Sequence, residues 1–518
     1  MPLSNLRILF VALLLCAFCS SRATYRDWAL IDSMHRIREK SLVSPSESML
    51  FESAMYGMTS GLEERGDYWS QFIPPQEIRE IENEINNRIE GIGILFQYGK
   101  DNREYTVLYP IFDSPARRAG IRAGDAILAV DGVPIAGLPF QDVSGMIRGA
   151  PGSSVRLEVR HAGDEKTETL SVERDRVVPR SVLGDTLDSE GKPRFTLATH
   201  PEIAYLNMNA GFTDTTAEEV REALTHLPAE VEGLILDLRR NPGGYVDVCV
   251  EIADMFVKPT GKYKHIVLTR ERNGRIRGRH TATTNTLFDK PIVVLIDGGS
   301  ASASEILAAC LQDFQRAKIV GTRSYGKGTV QETFDLPMRF GMLKLTDASY
   351  WRPSGRNINR SAGAPPTEEW GVGPDPGGDV SVSRIQAYAS SRIRSFRANV
   401  PDADVEKLAA ATVAHIRHHG KEILEEEDEI LGDTSVETDD KTGVESGIET
   451  TSVGSGEEET TANRPLPDTH ETNATNGNTV SSVPEPFTLK GSAPYYDLQL
   501  LKAIELLQKG TADTLETR

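Results

Sequence analysis

Between residues 200 and 350 the apolar residues change period repeatedly, and this constrains the fold more than any other feature of the chain. "IAYLNMN" is strand-like and "TAEEVREALTHL" is a helix opened by a threonine cap. "GLILDL" is a buried strand and "YVDVCVEIADMFV" is helical. "PIVVLIDG", "SASEILAACLQDF" and "AKIVGT" then read as strand, helix and strand. Strands alternating with helices of this length need crossover connections, so the stretch predicts a parallel-rich α/β core.

The flanks follow other rules. Residues 24–90 show helical spacing in "DWALIDSMHRIREK" and "SESMLFESAMYGMTSGLEE". Residues 91–175 hold short strand-like runs separated by glycines, a small module of five or six strands and two short helices. A core of 176–400 and a helix over 401–424 follow. Residues 425–486 are rich in Glu, Asp, Thr, Ser, Gly and Pro, and cannot bury enough apolar area to offset the entropy of ordering, so they read as an acidic disordered linker. Residues 487–518 end in an amphipathic helix with Leu498, Leu501, Ile504 and Leu507 on one side.

Charge excludes one class of partner. The net charge is −19, and fifteen acidic against three basic residues from Lys421 to Arg464 account for twelve of it. The folded remainder is mildly acidic, which disfavours nucleic acid. At the N-terminus Arg7 precedes an apolar run from Ile8 to Cys19, with Ser21 and Ala23 as the small residues of a cleavage site. Residues 1–23 read as a signal peptide, and the chain as exported to a periplasmic or extracytoplasmic space, membrane-associated if the signal is retained. Cys249 and Cys310 sit in apolar helical segments and read as buried thiols, with a single disulfide between them left open in an oxidising compartment. Their spacing fits no zinc motif. His415 and His419 share a helix face without the Glu of a metalloprotease pattern, so no metal or other cofactor is expected.

"KIVGTRSYGKGT", residues 318–329, poses the chemical question. Gly321, Gly326 and Lys327 imitate a phosphate loop, but Gly328 stands where Ser or Thr would hold Mg²⁺, and "TVQETFDLPMRFGMLKLT" after it reads as strands. A phosphate loop must enter a helix, so no nucleotide is expected. Upstream, "DGGSASASEILAACLQD" places three serines at a strand-to-helix turn, where a hydroxyl stands clear beside a helix N-terminus. A serine there needs a base. No His lies nearby in sequence, and a lysine kept neutral by burial can serve.

"SASASEILAACLQDFQRAKIVGTRSYGKGTVQ" closely resembles the core motif of the carboxy-terminal processing proteases, the tail-specific serine peptidases. "GLILDLRRNPGG" resembles their strand and glycine turn, and "SPARRAGIRAGDAILAVDGVPI" with "MIRGAPGSSVRLEVR" resembles their PDZ domain. The resemblance implies a ClpP/crotonase-like protease core with an inserted PDZ domain at 91–175 and helices at both termini. It assigns Ser302 as nucleophile, Lys327 as general base and Gln331 as the residue orienting that lysine. The backbone amides of Ala303 and Gly244 become the oxyanion donors. Gly91, Ile92, Gly93 and Ile94 of "GIGILF" become the loop that holds a substrate's C-terminal carboxylate, with apolar C-termini as the expected partners. Asp313, eleven residues after Ser302, is either a helix-end carboxylate or a catalytic one. "GLEERGDYW" departs from the family's Leu-Asp-Pro, and the oligomeric state stays open. The rival reading from another class is a catalytically silent PDZ scaffold that only binds tails.

Overall fold

The computed structural model describes residues 25–99, 103–188, 191–208, 210–361, 367–401, 405, 408–409 and 497–516. The expected signal peptide and acidic linker, with His415 and His419, lie outside the described residues. Among the described residues no helix is long and apolar enough to cross a membrane.

Four of the apolar runs pair because each has a hydrophobic surface on both sides. Strands Ile203–Asn207, Gly233–Asp237, Ile292–Ile296 and Ala317–Gly321 lie side by side in that order, all parallel. Successive strand side chains point to opposite faces. Leu234, Leu236, Val294 and Ile296 share one core with Val220, Ile252 and Ile306 of the helices Thr216–Thr225, Val246–Asp254 and Ala303–Asp313. Ile235, Val293, Leu295 and Val320 share a second core with the C-terminal helix Leu498–Glu516.

That helix corrects one expectation. Its buried stripe is Leu500, Ala503, Ile504 and Leu507, while Leu498 and Leu501 are exposed. The anchor just before it explains the rotation. Asp497 is buried in an ion cluster, accepting from Arg239 Nη1 at 2.6 Å and Arg394 Nη1 at 2.9 Å, and Asp237 pairs with the same arginine. Burial alone would raise the Asp497 carboxyl, but Arg239 and Arg394 outweigh it and hold it far below the usual carboxylate range. Asp497→Ala leaves Arg239 partly unpaired in the interior. It is expected to destabilise the protein by about 3–5 kcal/mol, read by denaturant unfolding. A depressed folded pKa gives stability that is present above the unfolded value of about 3.9 and lost as pH falls below it.

A second sheet was not foreseen. His265–Glu271 and Ile276–Thr281 form a hairpin, and His265–Glu271 also pairs with Met342–Trp351. Thr329–Asp335 and the short N-terminal strand Gln71–Ile73 both pair antiparallel with that same long strand. The lysine loop thus leads into a strand, as its sequence predicts, and not into a helix.

The glycine-separated runs build their own antiparallel sheet around Val107, Ile127, Val155, Leu157 and Val159. Strand Ile94–Gly99 is at its edge, beside Glu104–Pro110. Helix Arg384–Asn399 ties this module to the core. Phe396 packs with Leu108, Ser395 Oγ meets the Tyr109 hydroxyl at 2.8 Å, and Arg397 binds Asp185 at 2.5 Å.

Candidate active site

Of the three serines in the strand-to-helix turn, one stands clear. Among residues 300–311 only Ser302 is partly accessible; Ser300 and Ser304 are fully buried. The buried pair fastens the turn. Ser300 Oγ donates to the Leu238 carbonyl at 2.8 Å and Ser304 Oγ to the Asn241 carbonyl at 2.9 Å, which pins the "LRRNPGG" loop to the serine turn. Ser302 itself has φ 55° and ψ −117°, a conformation an L-residue holds only when its surroundings enforce it. This bend pushes its side chain out of the turn.

The glycine loop reaches the serine directly. A Cβ on Gly243 would lie 2.8 Å from Ser302 Cβ and 3.0 Å from Ala303 N, and one on Gly244, at φ +139°, would lie 2.3 Å from the Phe212 carbonyl oxygen. Only glycines allow this approach. Ala303 is the first residue of its helix, so its N–H has no intrahelical partner and lies at the positive end of the dipole. The expected oxyanion donors and nucleophile therefore share one small region.

Sequence reasoning missed the residue that joins the two halves of the site. Glu305 is fully buried, and its carboxylate accepts four hydrogen bonds. Its donors are Ser302 N at 2.9 Å, Lys327 N at 2.8 Å, Gly326 N at 2.7 Å and Ser324 Oγ at 2.5 Å. Burial pushes this carboxyl up to about 7, against the pull of those donors. A signal was present: Ser302-x-x-Glu305 is a capping box, the pattern of a helix start.

Lys327 is half-buried, and its amine sits on the indole face of Trp69, 3.7 Å from the ring centroid. Burial first, then the nearby charge of Lys344, lowers its pKa to about 8, while Glu305 opposes the shift. Gln331 Nε2 donates to Thr329 Oγ1 at 2.9 Å and Thr346 Oγ1 at 3.3 Å, so its amide is fixed on the strand that follows the lysine loop. Asp313 is a helix-end carboxylate. Arg352 binds both its oxygens, at 2.7 and 3.0 Å, and eleven residues of helix put it about 16 Å from Ser302. Cys249 and Cys310 are free and buried, and burial pushes both thiols up, so neither supplies a nucleophile.

In the antiparallel module, Gly91 closes the short strand Ile89–Gly91 and Ile92 is buried. The carbonyls of Ile92 and Gly93 accept from Ala116 N and Ile111 N, both at 2.9 Å. Gly93 has φ +75°, and a Cβ there would lie 2.5 Å from Ser114 Cβ. Ile94 then opens the edge strand, and Phe96 of that strand stacks at 5.0 Å on Phe140 of helix Phe140–Ile147.

Peptidase family S41 matches residues 202–375, and a PDZ domain matches residues 106–161. A carboxy-terminal-processing protease of Bartonella bacilliformis is 33% identical over 342 residues, covering 65% of this chain and 73% of the relative. A carboxyl-terminal-processing protease of Picosynechococcus sp. is 31% identical over 345 residues, covering 66% and 78%. A solved photosystem II D1 C-terminal processing protease shares 27% identity, covering 69% of this chain and 94% of that one, with a TM-score of 0.38. On the strength of the sequence matches, which span both the parallel core and the antiparallel module, this chain belongs to the carboxy-terminal processing proteases of peptidase family S41.

Proposed function

We propose that the chain is an exported serine endopeptidase in which Ser302 attacks the scissile carbonyl and neutral Lys327 takes the hydroxyl proton. The observation that carries this reading is the shared clamp: one buried carboxylate, Glu305, holds the backbone of both residues. The tetrahedral oxyanion falls to the amides of Ala303 and Gly244, where losing one donor typically costs about 10²–10³ in turnover. The protonated lysine then returns its proton to the leaving amine, and water hydrolyses the acyl-serine by the same route in reverse. Gln331 supports the amine through its carbonyl oxygen.

Substrate enters as a strand. Ile94–Gly99 is an edge strand, so an extended C-terminus can add to it, with the Gly91–Ile94 loop at the terminal carboxylate and Phe96 and Phe140 beside its apolar side chains. The test uses an unfolded protein with an apolar C-terminus and a copy ending in two aspartates. Wild type is expected to cut the first, and Ser302→Ala and Lys327→Ala to lose about 10³-fold or more. The acidic tail is expected to raise KM about tenfold with kcat little changed. Equal cleavage by all three proteins would remove the peptidase reading. Tail binding without cleavage by wild type would favour the silent scaffold.

A further inference from the structure

The turn that carries Trp69 comes from the N-terminal region, 258 residues before the lysine it touches. Its placement is built. Asp67 accepts from Trp69 N at 3.3 Å, Ser70 N at 3.2 Å and Ser70 Oγ at 2.6 Å, which closes the turn on itself. The same carboxylate accepts from Thr346 Oγ1 at 2.7 Å, and Thr346 N donates to Ser70 Oγ at 2.8 Å. Gln331 donates to that Thr346 hydroxyl, so a continuous chain of hydrogen bonds runs from the strand after Lys327 to the turn under Trp69. Trp69 is half-buried and meets Tyr325, from the lysine's own loop, edge-on at 6.5 Å. Its ring face is the surface on which the Lys327 amine rests.

We infer that Trp69 is a positioning residue for the general base: its indole face seats the Lys327 amine, and the turn Asp67–Ser70 holds that face in place. The inference rests on the proposed peptidase reading. An aromatic face suits a base that changes charge during the reaction. It keeps water off the neutral amine, and it attracts the ammonium through the ring quadrupole once the proton has arrived. It also makes no hydrogen bond that would pin the amine, so the group can swing to the serine and return. The charged groups that act on that amine are Glu305 from the serine helix and Lys344 from strand Met342–Trp351, while Tyr325 from the lysine's own loop and Asp67 from the turn flank Trp69 itself. None of them replaces a dry ring.

The two actions of the ring oppose each other, and this makes them separable. Trp69→Leu keeps an apolar cover and removes the π face, so the acid limb of kcat/KM is expected to move down by about 0.5–1 pH unit. Trp69→Ala admits water, so the limb is expected to move up by about one unit. In both the plateau should fall about tenfold or more because the amine is no longer seated. Trp69→Phe, which keeps a ring, should stay within about twofold of wild type in plateau and show a limb shift of under about 0.3 unit. A readout independent of turnover is the rate at which a dilute amine-acylating reagent labels Lys327, measured by peptide mapping. Trp69→Ala should alter that rate at fixed pH and Trp69→Phe should not. If wild type cleaves and needs Lys327, but the limbs of Trp69→Leu and Trp69→Ala superimpose on wild type, Trp69 is structural only and the inference falls, whatever the plateau does. If Lys327→Ala cleaves as wild type does, the peptidase reading itself falls instead.

Discussion

Lys327→Arg is expected to abolish peptide cleavage, with kcat/KM down by about 10³-fold or more and the fold intact by circular dichroism. Arginine keeps the length and charge of the side chain but cannot give up its proton, so it cannot accept one from Ser302. The wild-type pH profile follows from the same requirement. With the lysine at about 8, about a tenth of molecules carry a neutral amine at pH 7. At the ordinary lysine value of 10.5 the fraction would be about one in three thousand, so burial together with the charge of Lys344 enriches the neutral amine about 300-fold. Cleavage should therefore rise about tenfold per pH unit below about pH 7 and level off above about pH 9. The stability contribution has its own sign. The folded lysine binds fewer protons than the unfolded one between about pH 8 and 10.5, so its contribution rises with pH across that window. A flat profile from pH 6 to 9 would show that no group of this kind limits the reaction.

Glu305→Gln is expected to cost at least about 10²-fold in kcat/KM although the side chain touches no substrate. Four donors converge on the carboxylate, three of them backbone N–H groups. An amide turns one acceptor oxygen into a donor and leaves at least one of those N–H groups facing another hydrogen. Each such buried, unsatisfied group costs about 1–3 kcal/mol, and the serine turn and lysine loop would relax apart. The loss should appear in kcat more than in KM, with a parallel fall in denaturant midpoint. The wild-type carboxyl carries a pH signature of opposite sign to the lysine's. Its folded value is raised to about 7, so the folded state binds the extra proton between about pH 4.5 and 7, and this group's contribution to stability falls as pH rises through that window. A Glu305→Gln enzyme within twofold of wild type would remove the clamp from the account of the site.

How much of this was legible depended on whether the information was local. The parallel sheet was readable because Ile203–Asn207, Gly233–Asp237 and Ile292–Ile296 are buried along their whole length and Ala317–Gly321 is buried at all but Lys318, so each keeps a run of apolar residues. The hairpin His265–Glu271 and Ile276–Thr281 was not, because its second strand, "IRGRHT", is half-exposed and carries two arginines and a histidine. The residues of the serine turn and lysine loop came into view through their spacing and the family resemblance. Glu305 stayed hidden behind a helix-start pattern that thousands of ordinary helices share, since nothing local says that its carboxylate also reaches a loop 21 residues on. Trp69 and Asp497 were invisible for a stronger reason: each acts on residues more than 250 positions away. For the C-terminal helix, periodicity showed a stripe but not its phase, which the buried aspartate before it sets.

The backbone angle at residue 302 has a consequence of its own. Left-handed geometry of that kind costs an L-amino acid on the order of 1–3 kcal/mol, and glycine far less. A lineage drifting toward toughness would thus be drawn to glycine at this codon, gaining thermal endurance and, on the proposed peptidase reading, giving up the knife. On that reading, serine there is a standing handicap that only continued selection for cutting holds in place.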